Sequence, residues 1–489
     1  MSSDAKVTAE HSECVDMSVK DGSVESCAGM SPGAPVLDDE TNRKLLRKID
    51  MHLMPVMCFT YALQYYDKAL LSQAAIFGLR TDLGIEDGLK YSWVSLIFYF
   101  GYIAGCYLKF TVGKVCPIIC FLWAVVVLTT PACTNYTGML VNRFMLGLIE
   151  SGVSPAFMLC TGMWYTHSEQ VFRSSLWYSF SGGSNIVSPL INYGLGHITG
   201  GVLHPWQYMY LIAGLATLLW SIILWFVFPG SPHIAKGFSA EERIMVLERV
   251  RSNNAGAENR HFKWYQVREA LLSYQFWFVF VLSLLSSIGS GAVTTFGSII
   301  FNGMGFSTFQ SLLLNMPIGA LAFICVLGSG YIGRKVPNSR LYIVSGAWAM
   351  FTVDFSRWQL PSSQRAARII GFYLINFFSS AWVQCIAMGT SNVAGHTKKA
   401  TMAAATFMGY SLGNIVGPLT FDANDAPRYD PGFRATVICF AICFVLAQVF
   451  RALMLAQNKR RNSKYGPPTQ EHGLEDLTDR ENKSFRYPL

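Results

Sequence analysis

The chain has 489 residues, of which 52% are hydrophobic and only 14% charged, whereas about a quarter of the residues in a globular protein are charged. That balance excludes a soluble chain of several domains, because long charge-free runs follow one another and leave no room for soluble cores between them. The net charge of +8 is scattered in short clusters between apolar segments rather than along one amphipathic face, which argues against a nucleic-acid surface and for orientation in a bilayer.

Residues 1–45 are polar, with Ser, Asp, Glu and Gly and few large apolar groups, too few to offset the entropy of ordering, so a disordered tail is expected. No apolar h-region follows the first residues, and no cleaved signal peptide is expected. Six candidate spans come next, near 51–70, 91–110, 115–134, 137–158, 175–197 and 207–228. The cleanest run, YMYLIAGLATLLWSIILWFVF at 208–228, meets the roughly 20 residues that cross a bilayer core. Residues 230–272 turn polar. Within them SAEERIMVLERVR has Ser239 as an N-cap, then acids and later arginines, the order that a helix dipole favours. A second set of spans lies near 276–300, 309–331, 341–356, 367–389, 400–420 and 435–455, followed by a polar tail. The predicted units are therefore a tail (1–45), a six-helix bundle (46–229), a connector (230–272), a second six-helix bundle (273–458) and a second tail (459–489).

Lys and Arg concentrate on one side of this arrangement, in RKLLRK near the N-terminus, at Lys109, Lys114 and Arg173, in the connector and in GRKVPNSR, HTKK and NKRR. Short cytoplasmic loops carry such an excess, which places that side, with both termini, in the cytoplasm. Arg80, Lys90, Arg357, Arg365, Arg368, Arg428 and Arg434 are exceptions.

The two halves repeat. SNIVSPL at 184–190 and GNIVGPL at 413–419 fall in the fifth and eleventh spans, and VGKV at 112–115 pairs with GRKV at 333–336 at a similar offset. The expected fold is an all-α integral membrane protein with twelve transmembrane helices in two six-helix pseudo-repeat bundles, the architecture of major facilitator transporters.

Charge within a span costs a few kcal/mol even on lenient scales, so the few such residues need a reason. Asp67 and Lys68 end the first span in LQYYDKALL, and Arg143 and Glu150 lie in NRFMLGLIESGVSP of the fourth. Arg143, Gly147 and Glu150 share one helical face by their spacing. One reading pairs Arg143 with Asp67, has Lys68 attract an anionic substrate and makes Glu150 a carboxylate that exchanges a proton as its surroundings change. The plainer reading is a static interhelical salt bridge, or side chains that snorkel to the interface.

Gly409, Gly413 and Gly417 recur every four residues and let helices approach closely, while Pro418 permits a bend; Gly182, Gly183 and Pro189 do similar work in the fifth span. Asn185 and Asn414 each line a cavity or brace a neighbour. Tyr65 and Tyr66 are candidate substrate contacts beside Asp67, whereas most other span-end aromatics are interfacial anchors. Asn135 starts the sequon NYT in a short outside loop, a weak glycosylation site. The twelve cysteines have no metal spacing and read as packed thiols. No Walker loop, nucleophile elbow or zinc pattern is present, so neither a cofactor, a metal nor an enzymatic activity is expected.

LQYYDKALLSQAAIFGLRTDLG, YSWVSLIFYFGYIAG, RFMLGLIESGVSPAF, FNGMGFSTFQSLLLNMPIGA, NVAGHTKKAT and GNIVGPLTFDANDAPRYDPGFRA occur in this order. Together they closely resemble the fungal allantoate permease family of anion:cation symporters, over about residues 45–458. The resemblance implies a plasma-membrane transporter that moves a small organic anion, such as allantoate, nicotinate or pantothenate, with protons. It also implies that Asp67 pairs with Arg143, that Lys68 contacts substrate and that Glu150 handles a proton. CYLKFTVGK is about six residues shorter than the family pattern, which leaves a non-transporting sensor as an alternative, and an exporter of a secondary metabolite is another. The expected partners are the anion, protons and the lipid bilayer, with no nucleic acid, and the chain is expected to be a monomer.

Overall fold

The computed structural model describes residues 38–106, 112–198, 200–232, 235, 237–251, 262–336, 340–358, 364–422, 425–426, 429–466 and 477–487. Most of the predicted N-terminal tail, the shortened CYLKFTVGK corner at 107–111 and the loop at 359–363 lie outside the described residues, as does Arg428. The chain divides into two compact units, Met1–Lys44 and Leu45–Leu489. In the first, Lys44 pairs with Glu40 at 2.8 Å, one helical turn away.

Helices follow the apolar runs. They are α1 (Asp39–Ala74), α2 (Lys90–Cys106), α3 (Val112–Thr129), α4 (Tyr136–Glu150), α5 (Val153–Trp164), α6 (His167–Gly196) and α7 (Pro205–Val227). The connector holds α8 (Ala240–Arg251) and α9 (Trp264–Leu271), and then come α10 (Tyr274–Gly303), α11 (Thr308–Leu313), α12 (Met316–Lys335), α13 (Arg340–Trp358), α14 (Arg365–Leu374), α15 (Phe378–Ser391), α16 (His396–Leu419) and α17 (Asp430–Tyr465). The expected N-cap is present at α8, where the Ser239 hydroxyl accepts from the Glu242 amide at 3.1 Å and Glu242 accepts from the Ser239 amide at 2.8 Å, a capping box.

Three spans expected to be continuous are broken. The fourth splits at Ser151 and Gly152, where Pro155 has no N–H to give the Ser151 carbonyl. In the eighth, Pro317 follows a break at Leu314 and Asn315, and the Asn315 side chain donates to the Ser311 and Leu312 carbonyls at 2.9 and 3.3 Å. The tenth tightens to a 3-10 turn at Ile375–Phe377 between α14 and α15. The fourth and tenth spans, equivalent under the repeat, are thus both interrupted inside the bundle.

Six helical segments among the described residues are long and apolar enough to cross a membrane: Tyr136–Trp164, Pro205–Val227, Tyr274–Gly303, Thr308–Lys335, Ala366–Gly389 and Asp430–Tyr465. α7 illustrates how such a helix sits. Trp206, Met209, Tyr210, Ala213, Thr217, Ser221 and Leu224 face inward, while Leu219, Trp225 and Phe226 are exposed. An apolar outer face is what lipid contact selects.

α6 lies along α12 at van der Waals limits. A Cβ on Gly182 would come within 2.6 Å of the Gly319 carbonyl oxygen, and a Cβ on Gly319 within 2.6 Å of that of Gly182. Gly409 and Gly413 play the expected part between α16 and α10, with Phe280 and Leu284 carbonyls 2.6 and 2.2 Å from their would-be Cβ positions. Gly183 has only ordinary contacts, the nearest at 3.7 Å. Pro189 is buried within α6, and Gly417 is buried near the end of α16. Pro418 differs from expectation: it is the penultimate residue of α16, so it ends the helix rather than bending it.

Ion pairs tie the connector to both halves. Lys48 meets Glu242 at 2.7 Å and Arg249 is paired with Glu169, while within the first half Asp50 meets Arg173 at 2.7 Å. In the second half, fully buried Lys398 is held by Glu269 of α9 at 2.7 Å and by Asp479 at 2.5 Å. The end of the C-terminal tail therefore packs against α9 and α16, and Tyr487 donates to Asp479 at 2.9 Å.

Candidate functional site

Between the halves lies a cavity with an empty volume of ≈ 440 Å³, part of it open to solvent. Its walls come from α1 (Tyr65, Lys68), α2 (Tyr99), α6 (Tyr178, Asn185), α10 (Ser290, Thr294), the tenth-span break (Asn376), α15 (Ser379) and α16 (Tyr410), among others. Among the residues that line it, Lys68 alone is charged. A second, adjoining cavity shares Tyr65, Asn185, Thr294 and Asn376 and adds Gln73, Ser298 and Asn315.

The two halves also touch to either side of the cavity. Tyr91 donates to the Thr295 carbonyl at 2.9 Å, Ser95 bonds Thr295 at 2.7 Å and the Ser298 amide donates to Ser72 at 3.2 Å. His197 stacks on Phe309 at 4.1 Å. Toward the connector, Ser175 lies against Gly330, where an added Cβ would come within 2.4 Å.

The charged residues singled out in the sequence gather in the first half. Lys68 Nζ lies 3.2 Å from Glu150 Oε1 and over the rings of Phe98 and Tyr102, at 5.4 and 5.9 Å. Glu150 is fully buried. Arg143 donates to the Tyr210 hydroxyl and lies over the same ring at 5.4 Å. Asp67 is 1% exposed and faces the Trp123 indole N–H of α3.

The partners thus differ from the expected Asp67–Arg143 pair: among the described residues the ion pair joins Lys68 to Glu150. Adjacent helical residues point about 100° apart, so Asp67 and Lys68 address different neighbours. Arg143 and Glu150 share a face of α4 but stand seven residues, roughly 10 Å, apart along the axis. Lys68 takes the acid at one end, and Arg143 turns to Tyr210 at the other.

The remaining candidates separate clearly. Tyr65 and Asn185 line both cavities. Tyr66 lines neither; it is buried and donates to Asn192 at 2.8 Å, a helix-to-helix bond between α1 and α6. Asn414 is a brace: it donates to the Tyr410 carbonyl at 2.8 Å, and its backbone packs on Gly291. Asn135 is the exposed N-cap of α4, its side chain accepting from the Gly138 amide at 2.7 Å. Sequence reasoning missed Tyr410, which meets Trp382 at 4.7 Å and Tyr99 at 6.0 Å, and it missed Asn376 and Tyr210. An amide inside the apolar run YLINFF was a usable signal for Asn376, because such a group seeks a polar partner. Tyr210 looked like one more interfacial aromatic.

A bundle of apolar helices around a polar cavity with one charged wall residue is the build of a multi-pass membrane transporter. Residues 57–418 match the family described as the Major Facilitator Superfamily. The chain is 35% identical to "Uncharacterized transporter C757.13" of Schizosaccharomyces pombe, covering 91% of this chain and 87% of that one. It is 32% identical to the allantoate permease of Saccharomyces cerevisiae, covering 92% and 87%. The partially occluded, inward-open xylose transporter XylE from E. coli has the same fold, with a TM-score of 0.59 at 13% identity over 82% of this chain and 98% of that one. The chain belongs to the Major Facilitator Superfamily and, within it, to the family of the yeast allantoate permease. It is a secondary transporter and not an enzyme.

Proposed function

We propose that the protein imports a small organic anion, a carboxylate of the allantoate, nicotinate or pantothenate type, across the plasma membrane by proton symport and alternating access. It works as a monomer with both termini in the cytoplasm, the side on which Lys and Arg concentrate. The observation that carries this reading is Lys68, the charged wall residue of the cavity, paired with buried Glu150 at 3.2 Å. A substrate carboxylate that reaches Lys68 competes with Glu150 for the same ammonium. Leaving Glu150 buried and unpaired is costly, so the displaced carboxylate takes a proton. Anion and proton then load together, and neutral Tyr65, Asn185 and Asn376 remain to orient the rest of the ligand.

The test is uptake of labelled organic acids by transporter-deficient yeast at pH 5 and pH 7. Uptake of at least one acid is expected to be higher at pH 5 and to be lost in Lys68→Met. Uptake indifferent to pH and unaltered in Glu150→Gln and Asp67→Asn would sink the symport mechanism.

A further inference from the structure

Arg143 is the one cation of the cluster whose hydrogen-bond partner is not an acid. Its Nη2 donates to Tyr210, and its guanidinium lies over that ring at 5.4 Å, with the two residues only 3% and 1% exposed. Asp67 is equally buried, and among the described residues the ion pair of the cluster joins Lys68 to Glu150 instead, so no cation is paired with Asp67. The groups that face Asp67 are Arg143 and Glu150 of α4, Tyr210 of α7, Trp123 of α3 and its own neighbour Tyr66. Tyr91 of α2 and Cys133 face Tyr210 and Arg143 as well. Among these groups Arg143 is the only cation, so the place of its guanidinium decides whether a charge on Asp67 is matched.

We propose that Tyr210 is a positioning residue that holds the Arg143 guanidinium off Asp67 in this conformation, so that Asp67 binds a proton here and releases it to water when Arg143 swings across to pair with it. A buried carboxylate without a paired cation is expensive to ionise, and the same carboxylate against a guanidinium is not. Tyr210 supplies both an oxygen to accept from Arg143 and a ring face to receive it. Its use in transport rests on the proton-coupled reading above, but the Tyr210–Arg143–Asp67 exchange itself does not.

The experiment is a pH titration, by infrared spectroscopy on the purified full chain, of the protonated-carboxyl band that Asp67→Asn removes. In Tyr210→Phe, Arg143 loses its oxygen partner and moves to Asp67, and the midpoint of the titration is expected to fall by about one pH unit, a tenfold change in proton affinity. Tyr210→Gln keeps an acceptor for Arg143 and is expected to stay near the wild-type midpoint. If Tyr210→Phe does not purify folded, Tyr210→Leu, which also lacks the oxygen, takes its place with the same expected shift. An unmoved midpoint, an equal shift in Tyr210→Gln, or a wild type without a band that Asp67→Asn removes overturns the proposal. Yeast uptake separates the two readings: a shifted titration with pH-independent uptake defeats symport alone, and an unmoved titration with pH-dependent uptake defeats the role of Tyr210 alone.

Discussion

The two halves repeat each other in helix order and yet differ in what they bury at the cavity. The first half carries Asp67, Lys68, Arg143 and Glu150 on α1 and α4, and of these Lys68 lines the cavity. Their ordinal equivalents in the second half, α10 and the α14–α15 span, bring Ser290, Thr294, Asn376 and Ser379, all uncharged, to the same cavity. On the proposed mechanism this charge asymmetry divides the work, with the first half handling charge and protons and the second shaping the ligand.

Breaking the charged half should have the largest effect. Lys68→Met leaves Glu150 buried without its cation, which costs about 3–5 kcal/mol; the melting temperature of the purified protein should drop, and Lys68→Met with Glu150→Gln should recover most of the loss. Equal melting temperatures for the single and double variants would remove the pair from the stability of the first half.

The seam between the halves comes next. Gly319→Val forces a side chain against Gly182 and Asn185 of α6, and overpacking of this kind costs about 1–3 kcal/mol. Uptake should fall further than stability does, because α6 and α12 can no longer close. Normal uptake by this variant would show that the close approach is not part of the cycle.

In the neutral half the effects should be milder and of another kind. Asn376→Ala and Tyr410→Phe should raise the KM for uptake by about tenfold or less, the worth of one hydrogen bond, and leave the ratio of uptake at pH 5 to pH 7 unchanged. A changed pH ratio in either variant would break the division of labour.

The smallest effect concerns the connector. The hydrogen bond from Lys48, and then that from the Ser239 amide, hold the Glu242 carboxyl below its usual range. A carboxyl lowered in this way stabilises the fold above its unfolded value of about 4.3, and the contribution fades as pH falls through the lower folded value. Ser239→Ala should cost about 1 kcal/mol at pH 7, read by melting. Melting of Glu242→Gln relative to wild type should converge once pH has fallen through that lowered folded value; a difference that persists below it would contradict the ion-pair origin.

Much of this was legible in the sequence because it follows from hydropathy and spacing. The all-helical fold, the Ser239 cap and the close approaches at Gly182, Gly409 and Gly413 are all written in local pattern. The partners of the charged residues were not. Spacing put Arg143 and Glu150 on one face of α4, but it carried no information on Tyr210, more than sixty positions away on α7, or on which of Asp67 and Lys68 points toward Glu150. Likewise Tyr66 and Asn414 could each have faced the cavity or a neighbouring helix, and only tertiary packing sets Tyr66 against Asn192 and Asn414 against Gly291. The breaks at Ser151–Gly152 and Leu314–Asn315 follow from Pro155 and Pro317, which the hydropathy windows passed over.

The most direct measurement is proton movement in liposomes that contain the purified protein and a pH-sensitive dye, driven by a gradient of an acid found in the yeast uptake screen. Wild type should carry protons inward with the anion, and Glu150→Gln should still exchange labelled for unlabelled acid while moving fewer protons per anion. Anion uptake without proton movement in wild type, or undiminished proton movement in Glu150→Gln, would contradict a charged first half that couples protons to substrate.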